Sequence, residues 1–306
     1  MNPDFLAPVL AAAVQSGTPI LYATLGEIIT ERSGVLNLGV EGMMIVGAFA
    51  GFFALHLTGN PWLGFLAAGC AASLMGMLHG TVCLVFQGNQ IVSGLALTIL
   101  GVGLADYLGT PYIGVETRGF GELGIPYLSE IPGLGPVLFR QDILVYLSYL
   151  AAPLIWFLLA RTRWGLNVRA AGENPEAVKA AGLSPLRLRW AGVALGGFIV
   201  GLGGGYLSLA ALHAWTSGIT GGRGWIAVAL VIFAFWRPGR AVFGAYLFGG
   251  VIAFQMHLQA TGTTVPSSLL SMLPYVLTLL ALLYSSSRGK GRAAPASLGV
   301  NLEPEA

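Results

Sequence analysis

The chain has 306 residues, of which 55% are hydrophobic and only 9% are charged, and its formal net charge is +2. A soluble domain could not bury so much apolar surface behind so few charges. The composition therefore indicates a polytopic membrane protein without a soluble catalytic or nucleotide-binding domain. The small positive charge gives no reason to expect nucleic acid as a partner, because the basic residues cluster at the edges of apolar segments.

Nine apolar segments are predicted as membrane-spanning helices, which makes the fold all-α. Most have the ~17–25 residues that a helix needs to cross a bilayer, and the 45 glycines suit close helix–helix approach in lipid. The first segment follows a start without a basic region, so we expect no cleaved signal peptide. The predicted segments are Leu6–Ile29, Val35–Leu57, Trp62–Phe86, Ile91–Leu108, Ile143–Ala160, Trp190–Leu212, Trp225–Trp236, Ala241–Leu258 and Leu269–Tyr284.

The junction of the first two segments, Gly26–Met44, is unusually polar. It contains Glu31, Arg32, Asn37 and Glu41 between two strongly apolar runs. Ionisable groups near hydrocarbon are costly and usually mark a pathway, an ion pair or a hinge. A turn outside the membrane explains Glu31 and Arg32 as solvated charges, but Asn37 and Glu41 lie within the next apolar run. A discontinuous helix facing a cavity is the other interpretation, and the residues alone leave both open.

The remaining polar residues within spans carry less information. Gln90, Ser93 and Thr98 could line one face of the fourth span. A Ser or Thr in a membrane helix more often bonds its own backbone or a neighbouring helix. The two cysteines and four histidines have no ligand spacing, so we expect no metal site.

The segment Arg161–Trp190 concentrates basic residues, and its middle is predicted to be a short helix. Asn174 suits the N-cap, Pro175 the first helical position and Glu176 the positive end of the helix dipole. Gly182 suits the residue after the helix. So short a helix needs a surface to lie on. The segment is therefore either a basic loop that sets the topology or a docking helix for a cytoplasmic partner.

The segment Thr216–Trp236 is the second place that departs from a simple span. Its apolar part, Trp225–Trp236, would extend about 18 Å at 1.5 Å per residue, which is too short for a ~30 Å hydrocarbon core. One interpretation is a half-helix that starts near residues 221–224 and directs free N–H groups at a central cavity. The other is a short span in a locally thinned bilayer.

The distribution of Lys and Arg predicts the orientation. Placing Arg161–Trp190 in the cytoplasm puts the loop Thr110–Asp142, which is rich in carboxylates, outside. The N-terminus is then outside and the C-terminus inside, and Arg223 is the one outside arginine that goes against the pattern. We expect residues 1–285 to form one membrane domain and residues 286–306 to be a disordered cytoplasmic tail.

Three stretches of the sequence resemble a known family. They are GEIITERSGVLNLGVEGMMIVGAFAGF, GLNVRAAGENPEAVKAAGLSP and GGRGWIAVALVIFAFWRPGRAVFGAYLFG. They resemble the permease subunit of bacterial ABC importers of the ribose and branched-chain amino-acid permease family, and more closely its nucleoside-importing branch. The resemblance runs from about Leu21 to Leu283, which is nearly the whole chain.

This resemblance implies a type II importer fold in the bacterial inner (plasma) membrane. It implies three kinds of partner: cytoplasmic ABC ATPases, a second permease subunit that we expect to be a paralogue, and an extracytoplasmic solute-binding lipoprotein. The permease would be a transport subunit rather than an enzyme. It would hold no cofactor, because ATP is bound by the ATPase.

The resemblance also assigns roles to particular residues. The cytoplasmic segment 161–190 would contain the coupling helix that sits in a groove of the ATPase, and the polar junction would belong to the translocation path or its gate. The coupling residues would be Arg169, Gly172, Glu173, Asn174, Pro175, Glu176 and Gly182. The path or gate residues would be Asn37, Gly39, Glu41 and Gly42, to which the fourth-span face adds Gln90 and Ser93.

Two alternatives to a nucleoside importer remain at this stage. The same class of importer could carry sugars or branched-chain amino acids. The chain could instead be a secondary transporter driven by an ion gradient, which would need a proton or cation relay within the membrane. Asp106 is the only isolated acid away from the polar junction and has no evident basic partner, so the importer is favoured.

Overall fold

The computed structural model describes residues 3–263, 265–288 and 294–302. Over these residues the chain is mostly helical. The long helices are α1 (Pro3–Arg32), α2 (Val40–Thr58), α3 (Pro61–Gly80), α4 (Gln90–Gly109), α6 (Ile143–Arg161), α9 (Pro185–Tyr206), α11 (Pro238–Ala260) and α13 (Leu273–Arg288). The shorter helices are α5 (Leu134–Leu138), α7 (Arg163–Glu173), α8 (Pro175–Ala180), α10 (Arg223–Phe233) and α12 (Ser267–Ser271).

Seven of the predicted spans coincide with helices that are long and apolar enough to cross a membrane. In the described part of the chain these are 7–32, 40–58, 61–85, 90–112, 143–161, 185–211 and 238–260. Two shorter apolar stretches, Arg223–Phe233 and Ser267–Ala281, coincide with the other two predicted segments. The count of nine crossings therefore stays a prediction. The protein is embedded in a membrane.

Helices α1 and α9 lie at the centre of the bundle. Helix α1 packs along α11 and α9, and α9 also packs along α2 and α3. Glycines allow this close packing: an added Cβ at Gly201 would collide with the carbonyl of Ala68 in α3, and one at Gly204 with that of Met44 in α2. Both α3 and α9 end in a π-helical turn, at Thr81–Val85 and Leu207–Ala211.

The two ends of the bundle differ in chemistry. At one end lie the loops around residues 33–34, 86–89, 162–184 and 234–237, which we call the basic end. At the opposite end, the loop end, the long connection 113–142 folds over the end of α9, where the amide of Thr117 bonds the carbonyl of His213 at 2.8 Å. A small antiparallel pair, β1 (Glu122–Gly124) and β2 (Arg140–Asp142), leads into α6.

The sequence-based prediction of a disordered tail is wrong for residues 294–302. These residues are described and lie against the basic end, where Ser297 bonds the carbonyl of Gly172. The rest of the predicted tail, 289–293 and 303–306, lies outside the described residues. Helix α13 itself runs to Arg288, past the predicted boundary at Ser285.

Two glycines of α4 test whether close packing stabilises this bundle. A Cβ at Gly101 would lie 2.5 Å from the carbonyl oxygen of Gly42, whereas a Cβ at Gly103 would meet nothing within 4 Å. We expect Gly101→Ala to destabilise the protein by about 1–3 kcal/mol through overpacking. Gly103→Ala should be neutral or slightly stabilising, because alanine is the better helix former. The thermal unfolding midpoints of the two purified variants measure the difference, and equal midpoints would contradict the packing.

Candidate functional site

The short helix predicted in the middle of the segment Arg161–Trp190 is present and projects from the basic end. Helix α8 has six residues, Pro175–Ala180, and the side-chain oxygen of Asn174 accepts a hydrogen bond from the amide of Ala177 at 3.0 Å. Gly182 adopts a positive φ of +76°, as expected for the residue that ends a helix. Only Val178 is buried along α8, while Asn174 and Glu176 are exposed. The helix therefore rests on one apolar contact and leaves a polar face open to a partner.

Sequence reasoning missed helix α7, which precedes α8 and lies between it and the bundle. Its N-cap is Thr162, whose hydroxyl accepts from the amide of Gly165 at 3.0 Å. The signal was present as Thr162 at a possible N-cap position and as the four-residue spacing of the apolar residues Trp164 and Val168, but the many basic residues suggested a loop. Arg169 of α7 is half-buried and lines a cavity of about 440 Å³ beside Arg32.

The end of α7 lies directly against the end of α1. A Cβ at Gly172 would collide with the carbonyl of Arg32, so glycine allows the two backbones to touch. Glu173 adds an ion pair with Arg32 at 3.8 Å, with the Glu173 side chain about half exposed. A displacement of α7 would therefore reach α1 and the residues after it.

The residues that follow α1 do not form a solvated turn. Residues 33–39 are non-helical and mostly buried, and Val35–Gly39 runs back into the bundle alongside α4. The amide of Leu36 donates to the side chain of Gln90 at 2.8 Å, and further along the hydroxyl of Thr98 donates to the carbonyl of Leu38 at 3.0 Å. From Gln90 to Thr98 is about 12 Å of helix. We call Val35–Gly39 the buried extended segment.

Two acidic side chains of α1, Glu27 and Glu31, are buried. Glu31 is 2% exposed and accepts a hydrogen bond from the indole of Trp236. Glu27 is fully buried and lies 3.5 Å from the amide nitrogen of Asn37. The interpretation of Glu31 as a solvated charge is therefore wrong, because the end of α10 covers it. Arg32, which was grouped with it, donates to the carbonyl of Trp236 at 3.3 Å.

Glu41 occupies the point where the two unusual segments of the sequence meet. It lies in the first turn of α2 and is 7% exposed. Its carboxylate accepts three hydrogen bonds, from the hydroxyl of Thr220 at 2.6 Å and from the amides of Gly222 at 3.0 Å and Gly224 at 2.6 Å. These amides open helix α10, which begins at Arg223. A helix thus begins near residues 221–224, where the half-helix start is predicted, but its first N–H groups bond a carboxylate of this chain.

The contact requires a glycine in α10. A Cβ at Gly224 would lie 2.5 Å from the Cα of Glu41. A carboxylate is a favourable partner for a helix N-terminus, because it accepts the unsatisfied amides and opposes the positive end of the dipole. Since α2 also begins at this point, Glu41 joins two helices that both start inside the bundle and run to opposite ends. We call this arrangement the Glu41 clamp.

The other predicted path residues surround the buried extended segment. Gly39 and Gly42 are packing positions: a Cβ at Gly42 would lie 2.6 Å from the Cα of Thr98 in α4. Asn37 accepts from the amide of Gly39 at 2.8 Å. Ser93 bonds the imidazole of His79 at 2.9 Å, and the other ring nitrogen lies 3.0 Å from the carbonyl of Leu36. Sequence reasoning missed His79, since it has no partner nearby in the sequence.

A cavity opens at the loop end, and none of the six predicted path residues lines it. It has a volume of about 590 Å³, and Arg223 contributes to its floor. The carboxylate of Asp142 caps α6 by accepting from the amides of Leu144 and Val145. Burial raises the pKa of Asp142, and those two bonds oppose the rise. The side chains with polar groups around this loop-end cavity are Gln15, Ser16, Glu122, Asp142, Tyr206, His213, Thr216 and Arg223.

The Glu41 clamp connects the predicted path residues to this cavity. Gly221 and Arg223 line the cavity, and both lie within the stretch that Glu41 holds. Arg223 also donates to the carbonyl of Thr220 at 2.9 Å. Arg223 is the arginine that goes against the predicted distribution of Lys and Arg, and this was the one signal in the sequence for this cavity. Among the described residues, no group of three or more His, Cys, Asp or Glu is placed to hold a metal ion.

Comparison with known proteins identifies the family. Residues 9–282 match the family described as the permease component of branched-chain amino acid transport systems. No solved structure matches the chain significantly.

Three relatives align over almost their whole length. The chain is 40% identical over 307 residues to a putative glucose ABC transporter permease protein of Haloferax volcanii, covering 93% of each chain. It is 35% identical over 300 residues to the guanosine ABC transporter permease protein of Bacillus subtilis, covering 91% of this chain and 92% of the relative. It is 33% identical over 307 residues to the nucleoside ABC transporter permease protein of Lactococcus lactis subsp. cremoris, covering 96% of each.

The Glu41 clamp can be tested without reference to transport. In Glu41→Gln the charge is lost and an NH₂ group replaces one acceptor, so at least one bond to an α10 amide should fail. We expect a loss of about 1.5–3 kcal/mol of stability, the usual value for hydrogen bonds to a charged group. Hydrogen exchange at the amides of Gly222 and Gly224 should accelerate. The control is Glu130→Gln, an exposed carboxylate of the loop end; unchanged exchange in Glu41→Gln would contradict the clamp.

Proposed function

The chain belongs to the family of permease components of branched-chain amino acid transport systems, and we propose that it is the membrane subunit of an ATP-driven importer that carries nucleosides. It is a transport subunit rather than an enzyme. Its partners are a cytoplasmic ABC ATPase that binds the ATP, a second permease subunit and an extracytoplasmic solute-binding lipoprotein. The permease itself needs no cofactor.

Three observations support nucleosides as the substrate. Two relatives, at 35% and 33% identity, are named as guanosine and nucleoside permeases. The sequence stretch Ile29–Met44 resembles the nucleoside-importing branch. The loop-end cavity combines hydroxyl, carboxylate and guanidinium groups with the rings of Phe120 and Tyr206. Such a lining suits a ribose with several hydroxyls attached to a flat base.

A sugar is the second candidate substrate. The relative with 40% identity is named as a putative glucose permease, and a cavity of polar side chains also fits a sugar. We favour nucleosides because two of the three relatives are named as guanosine and nucleoside permeases.

We orient the basic end toward the cytoplasm of the cell, because its loops and the helix ends beside them carry most of the Lys and Arg residues. The N-terminus is then outside and the C-terminus inside. In this orientation the loop-end cavity faces the solute-binding protein, and α8 faces the ATPase.

The contacts support a route by which ATPase closure reaches the path. The ATPase displaces α8 and α7, which carry Asn174 and Gly172. Gly172 touches the end of α1, where the buried extended segment starts, and that segment leads to Glu41. Glu41 holds the start of α10, which forms part of the cavity floor. Such a chain of packed elements transmits a displacement if its members move as rigid pieces.

The coupling role predicts the effect of melting α8. Replacing Asn174-Pro175-Glu176 with three glycines removes the cap and the rigid start of the helix. We expect the protein to insert normally, while ATP-driven uptake and co-purification of the ATPase are lost. Asn174→Asp is the control, because aspartate caps a helix as well as asparagine and should keep both activities. Normal uptake in the triple-glycine variant would refute the docking role.

The substrate is tested with the full complex in proteoliposomes. We expect ATP-dependent accumulation of labelled guanosine that other nucleosides reduce and that glucose, ribose and leucine do not. If glucose, ribose or leucine accumulates and nucleosides neither accumulate nor compete, the substrate is wrong and the importer stands. If this chain alone takes up solute when a proton gradient is applied, the protein is a secondary transporter and the importer proposal is wrong.

A further inference from the structure

The C-terminal residues 294–302 form a strap across the basic end, and we use that name for them below. The strap bonds four separate parts of the bundle: the end of α7, the start of α9, the residue that precedes the buried extended segment, and the loop before α4. Its apolar side chains Ala294 and Leu298 pack against the cluster formed by α1, α6, α10 and α11. A passive tail would not need contacts of this number and specificity.

Ser297 is the central residue of the strap. It is 8% exposed, and both its amide and its hydroxyl donate to the carbonyl of Gly172, at 2.9 and 2.7 Å. The hydroxyl also lies 3.2 Å from the carbonyl of Ala171. These carbonyls belong to the last turn of α7, where a helix leaves carbonyls without intrahelical partners. Ser297 thereby satisfies the end of the helix that leads into α8.

Arg189 holds the strap from the other side. Its side chain is fully buried near the start of α9, and it donates to the hydroxyl of Ser297 at 3.0 Å and to the carbonyl of Val300 at 2.7 Å. Among the described residues no carboxylate forms an ion pair with it. A buried cation is costly without hydrogen-bond acceptors. Among the described residues, the side-chain hydrogen bonds of Arg189 all go to the strap, so the strap and this charge depend on each other.

The far half of the strap reaches the base of the buried extended segment. The amide of Gly299 donates to the carbonyl of Gly34 at 3.3 Å. Asn301 accepts from the side chain of Gln90 at 3.0 Å and donates to the carbonyl of Gln87 at 2.6 Å. Gln90 in turn accepts from the amide of Leu36. The strap therefore joins the end of α7 to the same segment that leads to the Glu41 clamp.

We propose that the strap is a positioning element for energy coupling, which fixes the end of α7 to the base of the buried extended segment so that both move together. Apart from the strap, the end of α7 is joined to the end of α1 by the backbone contact at Gly172 and by the half-exposed ion pair of Glu173 with Arg32. Without the strap, a displacement of α8 would be absorbed at that junction. Ser297, Arg189 and Asn301 are its positioning residues. This inference rests on the proposed function as an importer subunit.

The experiment compares two strap variants in the full complex in proteoliposomes. One variant ends at residue 293, and the other is the double substitution Ser297→Ala with Asn301→Ala, which keeps the chain length. The matched controls are a chain that ends at residue 302 and Val300→Ala, since Val300 contributes only its carbonyl to Arg189. The measurements are ATP hydrolysis, ATPase co-purification and labelled guanosine taken up per ATP.

We expect both strap variants to bind the ATPase and hydrolyse ATP, while solute uptake per ATP falls by about fivefold or more, the lower range of energetic coupling between sites. Both controls should match the unmodified protein. An unchanged ratio of solute uptake to ATP hydrolysed in the double variant would overturn the proposal. A higher ratio would also overturn it, because the strap would then oppose coupling. If the shortened protein is not produced in the membrane, the result for the double variant alone tests the proposal. Absence of ATP-dependent uptake in the unmodified complex would instead refute the importer itself.

Discussion

One carboxylate inside an apolar bundle determines how two helices can begin there. A helix that starts within a membrane leaves amides without partners, and water is not available to satisfy them. Glu41 accepts two of these amides at the start of α10 while its own backbone opens α2. Helix α10 has only 11 residues, too few for a full crossing. The Glu41 clamp makes this short helix possible, and Gly224 is required because no side chain fits between the two backbones.

The need to give every buried polar group a partner also explains the contacts at the basic end. Arg32 and Arg189 would be read from the sequence as solvated positive charges, yet each donates to backbone carbonyls of a distant part of the chain. A guanidinium suits this use, because it carries several donors in a fixed plane. The charges from which the orientation is predicted therefore also hold distant parts of the chain together. Helix α8 remains the exposed exception, and it is the element best placed to meet a partner.

Local features of the structure could be predicted from the sequence, and distant pairings could not. The seven helices that are long enough to cross a membrane follow from apolar length, and α8 follows from Asn174, Pro175 and Gly182, because caps act within a few residues. The polar junction and the short span were both recognised as unusual. Nothing in either stretch indicated that Glu41 meets Gly224, which is 183 residues away. The docked tail was missed for the same reason: its small polar residues resemble a linker until Arg189 supplies the partner for Ser297.

The glycines distinguish a close-packed part of the bundle from a loop with open space beside it. In α9, Gly201 and Gly204 allow backbone contact with α3 and α2, so that any shift of α9 would meet close-packed atoms. The loop before α10 differs, because Gly218 has a positive φ and open space around it. That loop is held to the bundle by the buried side chains of Trp215 and Ile219 and by the bonds of Glu41. Glu41 therefore joins the close-packed helix α2 directly to the start of α10 and to the cavity that Arg223 lines.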